Sequence, residues 1–138
     1  MGDCHRLRLK VRLYETDVYG HVNHAHYVHY FETGRIEALA SIGLSIEEMK
    51  RQGYLIFAAE ISVKYHAPAY LGDELEVVTW VRETRGARSI WGQEVRHAST
   101  DRLLASAQVT GALMSDNGRP ARLPPAFQER LALLHRPD

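Results

Sequence analysis

Between Tyr14 and Arg35 the chain reads YETDVYGHVNHAHYVHYFETGR, placing a lone carboxylate, a helix start and four histidines within about twenty positions. Asp17 falls in a loop broken by Gly20, and Asn23 is placed to cap a helix that runs to about Ile42. A helix start exposes backbone N–H groups that have no intrahelical partner, and the macrodipole adds positive potential there. A carboxylate just upstream of such donors suits attack on a carbonyl, because the donors can hold the oxyanion that develops. The pattern therefore points to acyl transfer or hydrolysis. An aspartate after Thr16 also has a plainer use, hydrogen-bonding its own backbone in a turn.

The four histidines, His21, His24, His26 and His29, invite a metal reading, and His26 and His29 are i, i+3 neighbours on a helix. HEXXH is absent and the chain offers no cysteine partner nearby, so no metal is expected. No G-x-S-x-G elbow, Walker motif or dinucleotide glycine pattern occurs either.

Positioning these residues requires a scaffold, and periodicity supplies one. Leu7, Leu9, Val11 and Leu13 alternate with Arg6, Arg8, Lys10 and Arg12, which predicts a half-buried strand ending at Tyr14. Val28, Phe31, Arg35, Ala38, Leu39 and Ile42 recur at helical spacing, and Gly43 supplies a stop. Ser45 and Glu48 form a capping box for a short second helix closed by Gly53. Phe57, Ala59, Ile61, Val63 and Tyr65 then alternate against Glu60, Ser62 and Lys64, a strand ended by Pro68. Further strands are predicted over Glu74–Thr84, Arg88–His97 and Leu103–Ser115, with Arg85-Gly86 as a hairpin signal. Pro124-Pro125 opens a terminal helix whose Phe127, Leu131 and Leu134 share one face, while Trp80 and Trp91 read as strand packing.

A strand, one long helix, an antiparallel meander and a terminal helix make an α+β layout. Only the helix from Ala25 to Ile42 is long enough to cover the sheet, so the sheet is expected to curl around it. The strand Phe57–Tyr65 carries few blunting charges for an edge, and such edges usually pair with another chain. A twofold dimer through that edge is the expectation.

The chain's 138 residues suit one domain over residues 1–138, with no repeat, linker or low-complexity tract. Acidic and basic residues balance at 17 each, so no net field favours nucleic acid or an anionic membrane. The only cysteine is Cys4, which excludes an internal disulfide and fits a reducing compartment. No apolar run approaches the roughly 18 residues of a spanning helix, and the N-terminus does not read as a signal peptide. The expected address is cytoplasmic.

Three stretches carry a family resemblance. The first is Tyr14-x-x-Asp17-x-x-Gly20-His21-Val22-Asn23-His24-Ala25-x-Tyr27, the second Tyr65-His66-Ala67-Pro68-Ala69-Tyr70-Leu71-Gly72-Asp73-Glu74-Leu75, and the third the turn Gly86-Ala87-Arg88-Ser89. In this order over these elements they resemble hotdog-fold acyl-CoA thioesterases of the 4-hydroxybenzoyl-CoA-thioesterase-like subgroup. The resemblance spans roughly residues 6 to 115.

The resemblance implies a hotdog fold, a long helix wrapped by an antiparallel sheet and dimerised into one continuous sheet with active sites at the subunit interface. It implies hydrolysis of an acyl thioester to free acid and coenzyme A thiol, with no cofactor, since coenzyme A is part of the substrate. Asp17 matches the family's catalytic carboxylate, either nucleophile or general base for water. His24 matches the position whose backbone N–H polarises the carbonyl, although the family often has Asn there. Tyr14 matches an aromatic beside the carboxylate. Glu32 lies where another hotdog branch carries its catalytic Glu, and is either a secondary site residue or a solvated helix acid. The turn implies Arg88 and Ser89, with Arg85 beside them, as contacts to pantetheine and phosphates, a role suited to guanidinium groups. Two other functions fit the same fold: an acyl-CoA-binding or assembly module without turnover, and a hydroxyacyl-thioester dehydratase. Gly20-His21 is similar to the dehydratase Gly-His, but nothing between Asn23 and Glu32 supplies the Pro-Gly that family needs. Acyl length, coenzyme A against acyl-carrier protein, and dimer against tetramer lie beyond spacing.

Overall fold

The computed structural model describes residues 3–137. Strand β1, His5–Lys10, buries Leu7 and Leu9 partly on one face and exposes Arg6, Arg8 and Lys10 on the other. It stops four residues short of the expected Tyr14, and the chain turns into a 3-10 segment, Leu13–Glu15. The cause is Glu15, whose buried carboxylate accepts from the Arg12 N–H at 2.8 Å and from the Arg12 guanidinium at 3.0 Å. Two of the residues that alternate in sequence are thereby withdrawn from the ladder.

Helix α1, His24–Ser41, starts as its sequence predicts, with the Asn23 side chain accepting from the Ala25 N–H at 2.9 Å. Its buried face is Tyr27, Tyr30, Phe31, Gly34, Ala38 and Leu39. Val28 and Arg35, which share the same helical spacing, are only half-buried. Two tyrosines take the space instead, because each hydroxyl finds a partner inside. Tyr30 donates to Glu15 Oε1 at 2.9 Å, and the Tyr27 hydroxyl accepts from the Ala69 N–H at 3.2 Å.

Gly34 lets α1 lie close to the sheet. A Cβ there would stand 2.6 Å from a methyl of Val77 and 3.0 Å from the Thr79 hydroxyl. Gly34→Ala should therefore lower the melting temperature. Overpacking of this kind costs about 1–3 kcal/mol, and helix propensity returns only about 1 kcal/mol. Thermal denaturation of the variant checks this, and a stabilised variant would show that the helix can lift off the sheet without loss.

Helix α2, Ile46–Arg51, is capped by the Ser45 hydroxyl accepting from the Glu48 N–H at 3.1 Å. Only this half of the capping box forms, since the Glu48 carboxylate turns to Arg51 and Gln52. Strands β2 (Tyr54–Tyr65), β3 (Glu74–Arg85), β4 (Arg88–His97) and β5 (Leu103–Ser115) follow. All pairings are antiparallel in the order β1-β3-β4-β5-β2, so β2 is an edge as expected. Helix α3, Pro125–Leu131, seats Phe127 and Leu131 in the core with Leu134 just beyond, as its apolar face predicts.

The sheet wraps α1 on one face, leaving two apolar clusters along the helix. One surrounds Tyr27, Tyr30 and Phe31, the other Ala38, Leu39, Trp91 and Leu113. Between them lies a buried polar pair, Thr79 and Gln93. The register of β2 departs from its simple alternation. Ala58 pairs with Gly111 but Glu60 with Thr110, so Ala59 is the extra residue of a β-bulge. The insertion moves Phe57 to the face opposite Ile61, where it is exposed, while Tyr54, Ile56, Ile61 and Val63 face the core. The expected single face of Phe57, Ile61 and Tyr65 is corrected accordingly. No helix among the described residues is long and apolar enough to cross a membrane.

Candidate active site

Asp17 sits in a tight turn between β1 and α1. The Gly20 N–H donates to the Asp17 carbonyl at 3.0 Å, and Gly20 takes φ +85, which a side chain would strain. Thr16 and Val22 pair across the base of the turn, which throws Val18 and Tyr19 into solvent and leaves Asp17 half-buried. The two uses of an aspartate here divide between its oxygens. Oδ1 accepts from the Tyr19 N–H at 2.9 Å, a local turn bond, whereas Oδ2 faces the His21 Nδ1 at 3.9 Å.

The turn is bound to the helix by Glu15. Its carbonyl accepts from the N–H of Asn23, the helix cap, at 2.8 Å, while its carboxylate holds Arg12 and Tyr30. Burial alone would raise the Glu15 carboxyl, but the Arg12 N–H, the Tyr30 hydroxyl and the Arg12 guanidinium outweigh it. They hold it below the usual carboxylate range. Burial and the adjoining carboxylate push the Tyr30 hydroxyl upward. An ionised carboxylate thus clamps the segment before Asp17 to the helix that follows it. Residue spacing marks Glu15 only as a neighbour of Asp17, since burial of an acid carries no periodic signal.

His24 is the first residue of α1, and its backbone N–H has no protein partner among the described residues. Its carbonyl accepts from the Tyr65 hydroxyl at 2.9 Å, and the two rings meet edge-on with centroids 6.4 Å apart. Asp17, His21, His24, Tyr65 and His66 line one open concavity of about 400 Å³. The sequence-predicted pair Asp17 and His24 is therefore brought together. Tyr65 and His66 join it although spacing assigns Tyr65 to strand packing; the signal available was its place inside the second stretch of the family resemblance, at the strand end.

The other expected site residues lie elsewhere. Tyr14, in the 3-10 segment, is 65% exposed; it meets His26 edge-on at 6.0 Å beneath the Arg12 guanidinium and lines a groove between β1 and α1. Glu32 lies two turns along α1 and borders a separate cavity with Arg35. Arg85 and Arg88 are exposed at the β3–β4 hairpin, Arg85 standing 3.8 Å from Glu83. Ser89 is buried, with its hydroxyl accepting from the Trp91 indole N–H at 2.9 Å. Alternation along β4 turns its hydroxyl inward where it turns Arg88 outward. The Nδ1 atoms of His26 and His29 approach to 3.4 Å, and no group of three metal-ligand side chains forms among the described residues.

Comparison with known proteins gives the family of the chain. The family described as "Thioesterase-like superfamily" matches residues 11–131. The chain is similar to the acyl-acyl carrier protein thioesterase ATL3, chloroplastic, of Arabidopsis thaliana, with 30% identity over 138 residues, 100% of this chain and 73% of that protein. It is 34% identical over 104 residues to the acyl-CoA thioester hydrolase YbgC of Escherichia coli O6:H1, covering 74% of this chain and 77% of that one. Among solved structures, the hypothetical protein TT1821 from Thermus thermophilus superposes with a TM-score of 0.87 at 29% identity, covering 94% of this chain and 98% of its own. With a five-stranded antiparallel sheet wrapped on one long helix, the chain belongs to the thioesterase-like superfamily and is a hotdog-fold thioester hydrolase.

Proposed function

We propose that the protein hydrolyses an acyl-coenzyme A thioester at the concavity where Asp17 meets the start of α1. The observation that carries this reading is that half-buried Asp17 and His24, whose N–H has no protein partner among the described residues, line one opening. The carbonyl oxygen is held by the helix N-terminus, and Asp17 Oδ2 attacks the carbonyl carbon or takes a proton from the attacking water. The thiolate leaves readily, so one carboxylate and one oxyanion site suffice without a triad. A single oxyanion donor is worth about 2.7–4 kcal/mol and a general base about 10²–10⁴-fold in rate. No cofactor is needed for such a reaction. The lone free Cys4 supports a reducing, cytoplasmic setting.

The open edge of β2 supports a homodimer. Twofold antiparallel pairing centred near Ile61 would bring the Tyr65 end of β2 in one copy beside the Phe57 end in the other, with Ala59 offsetting the register by one residue. The Asp17 concavity of one subunit then adjoins the Glu32–Arg35 cavity of its partner. Thiol release from a panel of acyl-coenzyme A and acyl-carrier-protein substrates tests the reading. Saturable turnover is expected, and binding without turnover across the panel would reduce the protein to an acyl-thioester-binding module.

Exposed Arg88 and Arg85 are the groups through which the hairpin would meet the nucleotide phosphates. Arg88→Ala should raise KM about fivefold with little change in kcat, the scale of one exposed charge pair remote from the reacting carbonyl. The difference should vanish with pantetheine thioesters. An equal effect on those short substrates would remove the hairpin from the phosphate site.

A further inference from the structure

Past its first turns α1 borders a second concavity, floored by Leu39, Trp91 and Val109 and rimmed by β2 at Ile56 and Phe57. Its volume is about 250 Å³. Small-molecule pockets run from about 300 to 1,000 Å³, so this one suits a short or medium acyl group. Its wall is apolar except for Glu32 and Arg35.

Arg35 is held in an unusual way. Its Nη1 donates to Gln93 Oε1 at 3.0 Å, and Gln93 is itself fully buried. The Gln93 amide is locked in turn, with Nε2 donating to the Phe31 carbonyl and to the Thr79 hydroxyl, both at 2.9 Å. Among the described residues no carboxylate makes an ion pair with Arg35. A guanidinium has five N–H donors, and among the described residues protein accepts from one of them. Donors facing an apolar cavity are costly unless an acceptor completes them. Glu32 at the same wall disfavours an anionic acceptor and can itself accept from a hydroxyl.

We infer that this cavity receives the acyl chain and that Arg35, aimed by Gln93, selects acyl groups carrying an uncharged oxygen, a keto or hydroxyl group. The inference rests on the thioesterase reading above and adds the substrate class to it. In the twofold arrangement the cavity of one copy lies beside the Asp17 concavity of the other, so a chain entering it keeps its thioester near the helix start.

The test compares octanoyl-, β-hydroxyoctanoyl- and β-oxooctanoyl-coenzyme A as substrates for the wild type, Arg35→Met and Arg35→Lys. Wild type should favour the oxygenated chains in kcat/KM by at least about tenfold, the scale of one hydrogen bond from a charged donor. Arg35→Met should bring that ratio close to one, with Arg35→Lys between. A wild-type ratio near one overturns the inference, as does an equal loss on all three substrates in Arg35→Met. Should Arg35→Met fail to fold, the Arg35→Lys ratio decides: reduced selectivity supports the role, and an unchanged ratio opposes it. If no thioester is cleaved, the hydrolase reading fails separately, and calorimetry with non-hydrolysable thioether analogues decides the inference alone. Tighter binding of the hydroxylated analogue, reduced in Arg35→Lys, supports it; equal binding of plain and hydroxylated analogues, or a preference unchanged in Arg35→Lys, overturns it.

Discussion

Asp17→Asn should lower thioester turnover at least about 10²-fold, the loss expected when a carboxylate that acts as base or nucleophile becomes an amide. Asn is the cleaner replacement, because its side-chain oxygen can still accept the Tyr19 N–H that Asp17 Oδ1 now accepts at 2.9 Å. The turn and the clamp at Glu15 then stay in place, and a lost rate reports chemistry rather than folding. Asp17→Ala removes both functions and should show the same kinetic loss with some loss of stability. Glu32→Gln should cost much less, since Glu32 borders the second cavity and stands apart from the His24 N–H. Free-thiol assays with circular dichroism as a folding control make the comparison. Near-native turnover in Asp17→Asn together with an inactive Glu32→Gln would transfer the carboxylate role to the helix.

Ser62→Pro should weaken self-association by at least about 10²-fold and reduce activity with it. Ser62 is exposed on β2 opposite Gln108, so the change spares the core that Ile61 would disturb. Proline removes a backbone donor and crowds a neighbouring strand, a cost of about 3 kcal/mol or more when the strand must pair. At 1.4 kcal/mol per factor of ten this is two orders of magnitude in the dimer dissociation constant. Sedimentation at several concentrations gives the mass, and thiol release on the same samples gives the activity. A wild-type monomer that is fully active at micromolar concentration would sink the composite site, since neither concavity would then need a second copy.

The outline of the fold was legible in local pattern. The bounds of β4 and β5 match their alternation, and Asn23 caps α1 with the bond its residue type predicts. Pairing Asp17 with the helix start was legible too, because a turn, a cap and a carboxylate within seven residues leave the backbone few ways to separate them. Elsewhere period failed at single residues. One inserted alanine, Ala59, reverses the face of Phe57, because strand side chains alternate with a period of two and any extra residue flips what precedes it. Likewise Leu13 continues the β1 pattern in sequence but stands 71% exposed, because the Arg12 N–H is claimed by Glu15.

By itself the sequence determined the α+β scaffold, the edge position of β2 and the meeting of Asp17 with His24, all consequences of short-range periodicity and capping. Only the tertiary structure decided that Ser89 turns inward to Trp91, that Tyr30 and Glu15 clamp the turn, and that Gln93 aims Arg35 at a cavity. These contacts join residues from 2 to 58 positions apart. Whether a polar side chain faces solvent or a buried partner depends on what packs against it, and a buried polar group is stable only where a partner from another element satisfies it.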